Sequence, residues 1–408
     1  MRFFLVAWWL LVTFTAALPP WSHSLRQKEK LSHWLPASTN GTDALARNAL
    51  RNTEKYLRAS RNGTSNCTFD AVKKRVEWDS LCDDEKRDYI KAVRCLQTKP
   101  SISGDLVPGA RNRYDDFVGT HINQTLSIHS TGNFLTWHRY FLATYETALR
   151  EECGFKAPLP YVNWARYSNS VIDAPLFDGS DTSISDNGAY VPGRATMHFP
   201  SDNSSLVSLP PSEGGGCITS GPFKDYKINL GPIALLGVNT TSSNPQKDGL
   251  GYNPRCIRRD LSVNAASGAS DFNTTKLIAH SETIAAFQDE MQGPFGYGIP
   301  EFGVHASGHY IISGDPGSDF YTSPGDPWFF LHHAQIDRVY WTWQMQVWEK
   351  IEERQSSIAG TITFLNTPPS RNATVEDRIA LGVNDGFKGL EIKEALSTVA
   401  GPFCYVYE

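Results

Sequence analysis

Seven of the eleven histidines fall in three stretches of this 408-residue chain, and six of them sit at spacings that close two three-imidazole metal sites. The first stretch carries His121, His129 and His138, the last of these inside Thr136-Trp137-His138-Arg139-Tyr140-Phe141. The second is Glu301-Phe302-Gly303-Val304-His305-Ala306-Ser307-Gly308-His309, and the third is Asp326-Pro327-Trp328-Phe329-Phe330-Leu331-His332-His333. His305 and His309 stand one helical turn apart, so both rings can reach one ion from the same helix face. Of the adjacent pair His332 and His333 only one can face that ion, because successive helical residues diverge by about 100°; His333 is assigned the ligand role and His332 a structural one. A zinc hydrolase would place a glutamate after the first histidine of the helical pair, and Ala306 stands there. Imidazole ligation without thiolate suits copper, zinc or non-haem iron, and three neutral histidines leave positions open for a small molecule. Two such sites in one domain point to dioxygen between two metals.

The elements that must carry these rings are legible to different degrees. Thr131 to Glu152 reads as a helix, with Thr131 and Asn133 as caps and Phe134, Trp137, Phe141, Tyr145 and Leu149 on one face. Asp326 and Pro327 read as an N-cap and first helical residue, opening an aromatic helix through Trp341, Trp343 and Trp348. Asp337, one turn beyond His333, is expected to orient a ligand or anchor that helix. His121 and His129 lie on chain expected to be less regular. Phe69, Val72 and Val76, then Tyr89, Ile90, Val93 and Leu96, recur at helical spacing, which predicts two helices with Arg75 and Trp78 on the first. Residues 166–275 turn to Gly, Ser, Pro and Asn and read as a long surface excursion; helical character resumes from Ser281 to Met291. Thr361 to Phe364 and Cys404 to Tyr407 read as small strands.

With 40% hydrophobic and 12% aromatic residues the chain can bury a large core. A net charge of -5 and a pI near 6.1 offer no basic field for nucleic acid, and beyond the leader no apolar run is long enough for a membrane span. Small molecules are the expected partners. Residues 1–18 have the charged start, apolar middle and small-residue exit of a secretory signal. Residues 19–66 are polar and read as a loosely held arm or pro-segment, and 67–408 as one catalytic domain. Eight Asn-x-Ser/Thr sites, at Asn40, Asn62, Asn66, Asn123, Asn203, Asn239, Asn273 and Asn372, agree with a secreted glycoprotein. Seven cysteines allow up to three disulfides, Cys217 and Cys256 being placed to staple one insertion, and no Cys-x-x-Cys pair suggests a thiolate site. His23, His33, His198 and His280 sit at no ligand spacing and read as solvated or locally bonded.

From about Cys67 onward the chain resembles the coupled binuclear copper proteins, most closely the short secreted tyrosinase and catechol oxidase group of fungi. The resemblance rests on Phe134-Leu135-x-Trp137-His138-Arg139, Glu146, Pro160-Tyr161, Glu301-x-x-x-His305-x-x-x-His309, Asp326-Pro327-x-Phe329-x-Leu331-His332-His333 with Asp337-Arg338, and Tyr405-Val406-Tyr407 near the end. It implies a mainly α fold with a four-helix core holding two copper ions, the first on His121, His129 and His138, the second on His305, His309 and His333. It also implies dioxygen as co-substrate and oxidation of o-diphenols, or of o-aminophenols or monophenols, to o-quinones, as in tailoring of a phenolic intermediate. Glu301 resembles the carboxylate that holds a water and helps deprotonate phenols. The alternative within the same ligand set is a hemocyanin-like oxygen carrier without turnover. Three positions depart from the pattern: Ser127 replaces a cysteine that crosslinks to a ligand, Val162-Asn163-Trp164 replaces a Trp-Asp-Trp run, and Ala306 replaces the Asn common in enzymes that hydroxylate monophenols. Catechols are therefore expected to be better substrates than monophenols.

Overall fold

The structure, a computed structural model, describes residues 34–59, 67–199, 207–235, 242–293, 301–384 and 386–408. Its helices are α1 (Asn40–Ala59), α2 (Asp83–Leu96), α3 (Arg113–Ile128), α4 (Phe134–Cys153), α5 (Val263–Gly268), α6 (Asp271–His280), α7 (Ile284–Gln292), α8 (Val304–Ile312), α9 (Trp328–Gln344) and the single turn α10 (Ile351–Arg354). Strands are short and occur in two-stranded pairs among the described residues. The fold is mainly α, as expected. Four helices, α3, α4, α8 and α9, surround the histidines, and each has a physical reason for its limits. α3 starts on a capping box in which Asn112 accepts from the Asp115 N–H and Asp115 accepts from the Asn112 N–H. α4 ends where Gly154 adopts φ 73°, a conformation that leaves the helix without a Cβ clash. α9 is buried along its whole length, which is why Trp328, Phe329, Phe330, Leu331, Trp341 and Trp343 show no polar face between them.

Helices α4 and α9 are pinned by a buried charge network. Asp337 accepts from Arg139 Nε at 2.6 Å, from the Tyr405 hydroxyl at 2.6 Å and from the Tyr407 hydroxyl at 2.5 Å. Arg75 bonds Glu146 at 2.7 Å, lies 3.5 Å from Asp337, and stacks its guanidinium 3.8 Å from the Tyr405 ring. Arg139 follows His138 and Asp337 follows His333 by one turn, so this pair fixes the register of two ligand-bearing helices. Asp337 thus anchors its helix and touches no histidine.

Several expectations need correction. The stretch around Phe69 and Val76 is not helical: Lys73–Arg75 is a strand, parallel to Tyr405–Tyr407, with Cys67 disulfide-bonded to Cys404 beside it and Trp78 in a single 3-10 turn. Pairing with a strand more than 300 residues away in sequence outweighs a local apolar period, and no short window can show it. Nor is the described part of the expected arm loose. The Asp271 carboxylate accepts the N–H groups of Gly41 and Thr42 at the start of α1, each at 2.8 Å, and Asn48 and Asn52 donate to carbonyls at Gln346 and Met345. The signal peptide expected at residues 1–18 and the parts of the arm at 19–33 and 60–66 lie outside the described residues. His121 lies on the regular helix α3 and His129 is its C-cap. Trp348 lies beyond α9, and Thr361 makes one isolated bridge, to Asn372, rather than a strand. Cys217–Cys256 and Cys95–Cys153 complete the disulfides, leaving Cys82 free and exposed.

Candidate metal centre

All six expected ligands converge. In the first triad the rings of His121, His129 and His138 lie with centroids 5.0 to 5.9 Å apart. Each Nδ1 is paired with a backbone carbonyl, His121 with Tyr321 at 2.8 Å, His129 with Thr125 at 2.9 Å and His138 with Phe134 at 2.8 Å. A carbonyl only accepts, so each Nδ1 carries the proton and each Nε2 keeps its lone pair for the centre of the triad. In the second triad His309 Nε2 lies 3.1 Å from His305 Nε2 and 3.3 Å from His333 Nε2. The triads abut: His138 stacks on His333 at 4.4 Å, and His129 faces His305 at 6.0 Å.

This donor set fits a pair of metal ions. Nitrogens about 2.0–2.1 Å from one tetrahedral ion stand about 3.3 Å from one another, which matches the Nε2 separations of the second triad. A hydrogen bond could serve one of those contacts, whereas one ion serves all three nitrogens. The Nε2 atoms of His121 and His138 are buried without a partner, a cost that a metal ion would remove. Burial lowers the pKa of all six imidazoles, His129 to about 4 and His309 to about 3, with neighbouring histidines lowering the others further, so the rings are neutral and able to ligate.

His332 lies close enough to His305, His309 and His333 for all four to reach one ion. Its hydrogen bonding sets it apart from the other three, although its Nε2, like those of His121 and His138, is buried without a partner. The Trp164 indole N–H donates to His332 Nδ1 at 3.1 Å, which occupies that lone pair and places the ring proton on Nε2. Gly308 makes room for it, since a Cβ there would stand 2.1 Å from His332 Cε1.

A cavity of about 320 Å³ reaches the centre along His129, His305 and His309. Its walls are mostly apolar: Ile233, Ala234 and Leu235 on one side, Phe320 and Phe364 on another, with Ala306 and Tyr310 on α8. The 166–275 segment therefore supplies a wall of the site and is more than the surface excursion expected: Leu230, Ile257 and Leu261 are buried, and helices α5 and α6 begin within it, before Ser281. Phe320 packs on the His129 ring at 4.7 Å. Ser127 is exposed and bonds the Gln124 carbonyl, making no link to a ligand.

The role expected for Glu301 fails on placement. The helix starts only at Val304, so the four-residue spacing to His305 is not a helical turn, and Glu301 is exposed in a separate cavity beside Lys276 and Glu290. Among the polar side chains that line the metal cavity, with Ser130, Tyr310, Ser318, Asp319 and Ser323, is Gln292 at the end of α7. Its Oε1 accepts from the Ser130 N–H at 2.9 Å, holding the positive-φ turn that follows His129. Sequence spacing gave no signal for Gln292, Trp164 or the 233–235 wall, because each meets the histidines through tertiary packing alone.

Comparison with known proteins agrees with this geometry. Residues 111–346 match the tyrosinase family model, described as the common central domain of tyrosinase. The chain is 42% identical over 311 residues to the tyrosinase-like protein orsC of Emericella nidulans, covering 74% of this chain and 80% of the relative. It is 35% identical over 350 residues to the N-acetyl-6-hydroxytryptophan oxidase ivoB of the same organism, covering 84% and 94%. The fold superposes on a polyphenol oxidase from Thermothelomyces thermophila with a TM-score of 0.83 at 38% identity, covering 92% of this chain and 99% of that one. The chain belongs to the tyrosinase family of copper oxidoreductases.

Proposed function

We propose that this protein is a secreted dicopper oxidase that converts o-diphenols, and o-aminophenols of similar shape, to o-quinones with dioxygen as oxidant. The observation that carries the reading is the apolar cavity that reaches His129, His305 and His309 directly, which a pure oxygen carrier does not need. Bound copper would supply the dioxygen binding and the electron acceptance that no side chain offers. His121, His129 and His138 would hold the first ion, and His305, His309 and His333 the second. The remaining chemistry is proton management. An ordinary phenol has a pKa near 10, so a monophenol needs a base. Among the described residues lining the cavity the carboxylate is Asp319, and four backbone N–H groups occupy it. The Gln292 amide is no base. Catechols, which lose a proton more readily and present two oxygens, are therefore the favoured class.

The relative that oxidises N-acetyl-6-hydroxytryptophan supports a tailoring role on a substituted phenol. Three disulfides support an oxidising compartment, and exposed Asn40, Asn123 and Asn372 leave room for glycans. Among the described residues no helix is long and apolar enough to cross a membrane. The test is turnover by the copper-loaded protein on matched monophenols, catechols and o-aminophenols. Catechol or aminophenol oxidation without monophenol hydroxylation supports the reading; reversible oxygen binding without turnover of any of them refutes it in favour of a carrier.

A further inference from the structure

One buried carboxylate joins two parts of the site that the sequence keeps far apart. Asp319 is fully buried, and backbone N–H groups, not a basic side chain, hold it. Its Oδ2 accepts from Ile233 at 2.7 Å and from Ala234 at 3.1 Å, the residues that form one cavity wall. Its Oδ1 accepts from Tyr321 at 2.8 Å and from Thr322 at 3.1 Å. Tyr321 in turn presents the carbonyl that fixes His121 Nδ1 at 2.8 Å, and Phe320, next to Asp319, packs on His129. Burying a carboxylate costs several kcal/mol unless hydrogen bonds compensate it, so a side chain this enclosed, with both oxygens doubly bonded, is held for its geometry.

We propose that Asp319 is a positioning residue that sets the orientation of His121 and, through the same carboxylate, the position of the Ile233–Ala234 cavity wall. Although it lines the cavity, four backbone N–H groups occupy its two oxygens, so it acts through those backbone segments. The inference rests on the dicopper reading of the two triads. An amide at 319 has one oxygen to offer two sets of N–H donors, so its NH2 must face either the wall or the Tyr321–Thr322 backbone. Asp319→Asn thus breaks one half of the coupling, and Asp319→Ala breaks both.

The test compares wild type, Asp319→Asn and Asp319→Ala in three ways: copper release to EDTA, backbone amide exchange in the copper-free protein, and KM and kcat for catechol against 4-tert-butylcatechol. For Asp319→Ala, biphasic release is expected, with one of the two coppers leaving about 10-fold faster or more, the scale seen when a group that orients a ligand is lost. Amides at Ile233, Ala234, Tyr321 and Thr322 should exchange faster while those of α4 and α9 do not. KM should change more for the bulky catechol than for the plain one, by about five-fold, with kcat less affected. Asp319→Asn keeps the volume, so it carries the test if the alanine variant fails to fold; it should show the wall effect or the copper effect in isolation. Equal acceleration of both coppers, exchange raised throughout the fold, and kcat falling alike for both substrates would show a merely structural role and overturn the proposal. Wild-type behaviour in both variants would overturn it as well. A wild-type protein that takes up no copper would instead refute the dicopper reading itself, so the two failures are distinguishable.

Discussion

Replacing Asp337 by Asn should weaken the clamp between α4 and α9 without emptying it of atoms. The amide oxygen can still accept from Arg139, and the Tyr405 and Tyr407 hydroxyls can turn to accept from the new NH2, so few hydrogen bonds are lost outright. What is lost is charge. Arg75 and Arg139 are both buried, and Glu146 would remain as the nearby carboxylate for the first of them. Breaking a buried pair costs about 3–5 kcal/mol, and the reversible hydroxyls favour the lower end. For a chain of this size, with an unfolding entropy of about 2.1 cal/mol/K per residue, about 3 kcal/mol corresponds to a fall in Tm of roughly 3–5 °C. Burial pushes the Asp337 carboxyl up, but Arg139 and then Arg75 more than offset it and hold the pKa below the ordinary value. A depressed folded-state pKa contributes stability above the unfolded value of about 3.9 and loses it as pH falls through the folded one. The Tm difference between wild type and Asp337→Asn should therefore be constant from about pH 5 to 8 and shrink below about pH 4. Thermal unfolding of both copper-free proteins across that range is the assay. A difference under about 1 °C at neutral pH, or one that grows on acidification, would refute the reasoning.

Other expectations follow from the same contacts. His138→Ala, His305→Ala or His333→Ala should each remove about one copper and nearly all oxidase activity, whereas His332→Ala should keep most of the metal; equal loss at 332 and 333 on metal analysis would contradict the tautomer argument. Burial lowers the His129 pKa to about 4, so the unfolded state binds more protons than the folded one between that value and about 6.5, and stability of the copper-free protein must fall as pH drops through this window. At pH 5 the loss is about 2 kcal/mol for that ring alone, and a Tm of copper-free protein that is flat from about pH 7 to 5 would count against neutral buried imidazoles. Gln292→Glu should raise monophenol hydroxylation relative to catechol oxidation by placing a carboxylate in the cavity, and more so than Ala306→Asn alone; an unchanged ratio of rates in both variants would show that proton removal does not limit monophenol use.

The convergence of the two histidine clusters was legible because imidazole ligation demands particular residue types at short spacings, such as the one turn from His305 to His309; the expectation that only one of His332 and His333 can face the centre was not met, since both lie within reach of one point with His305 and His309. The body of α4 was legible from apolar periodicity and the start of α9 from Asp326, whose carboxylate accepts the Trp328 N–H; the expected cap at Asn133 makes no side-chain bond, and Gly154, which ends α4, was not read. What failed was whatever depends on chain returning from far away. Lys73–Arg75 is a strand because Tyr405–Tyr407 lies beside it, and α1 docks because Asp271 holds its first N–H groups. Glu301 had the right residue type and spacing for a base, yet the helix begins after it and the residue lines a separate cavity. Asp319 and Gln292 carry no spacing signal, since they bond backbone at residues 233–234, 321–322 and 130.

The most direct test of the central claim is dioxygen uptake by protein loaded with two coppers, measured against catechol consumed. Each catechol gives up two electrons and two protons on forming the o-quinone, and dioxygen takes four of each to become water. Sustained turnover with one dioxygen used for every two catechols, no hydrogen peroxide released, and loss of all uptake in His138→Ala and His333→Ala is the expected result. A single stoichiometric uptake of dioxygen that reverses on degassing, with catechol left unchanged, would contradict it.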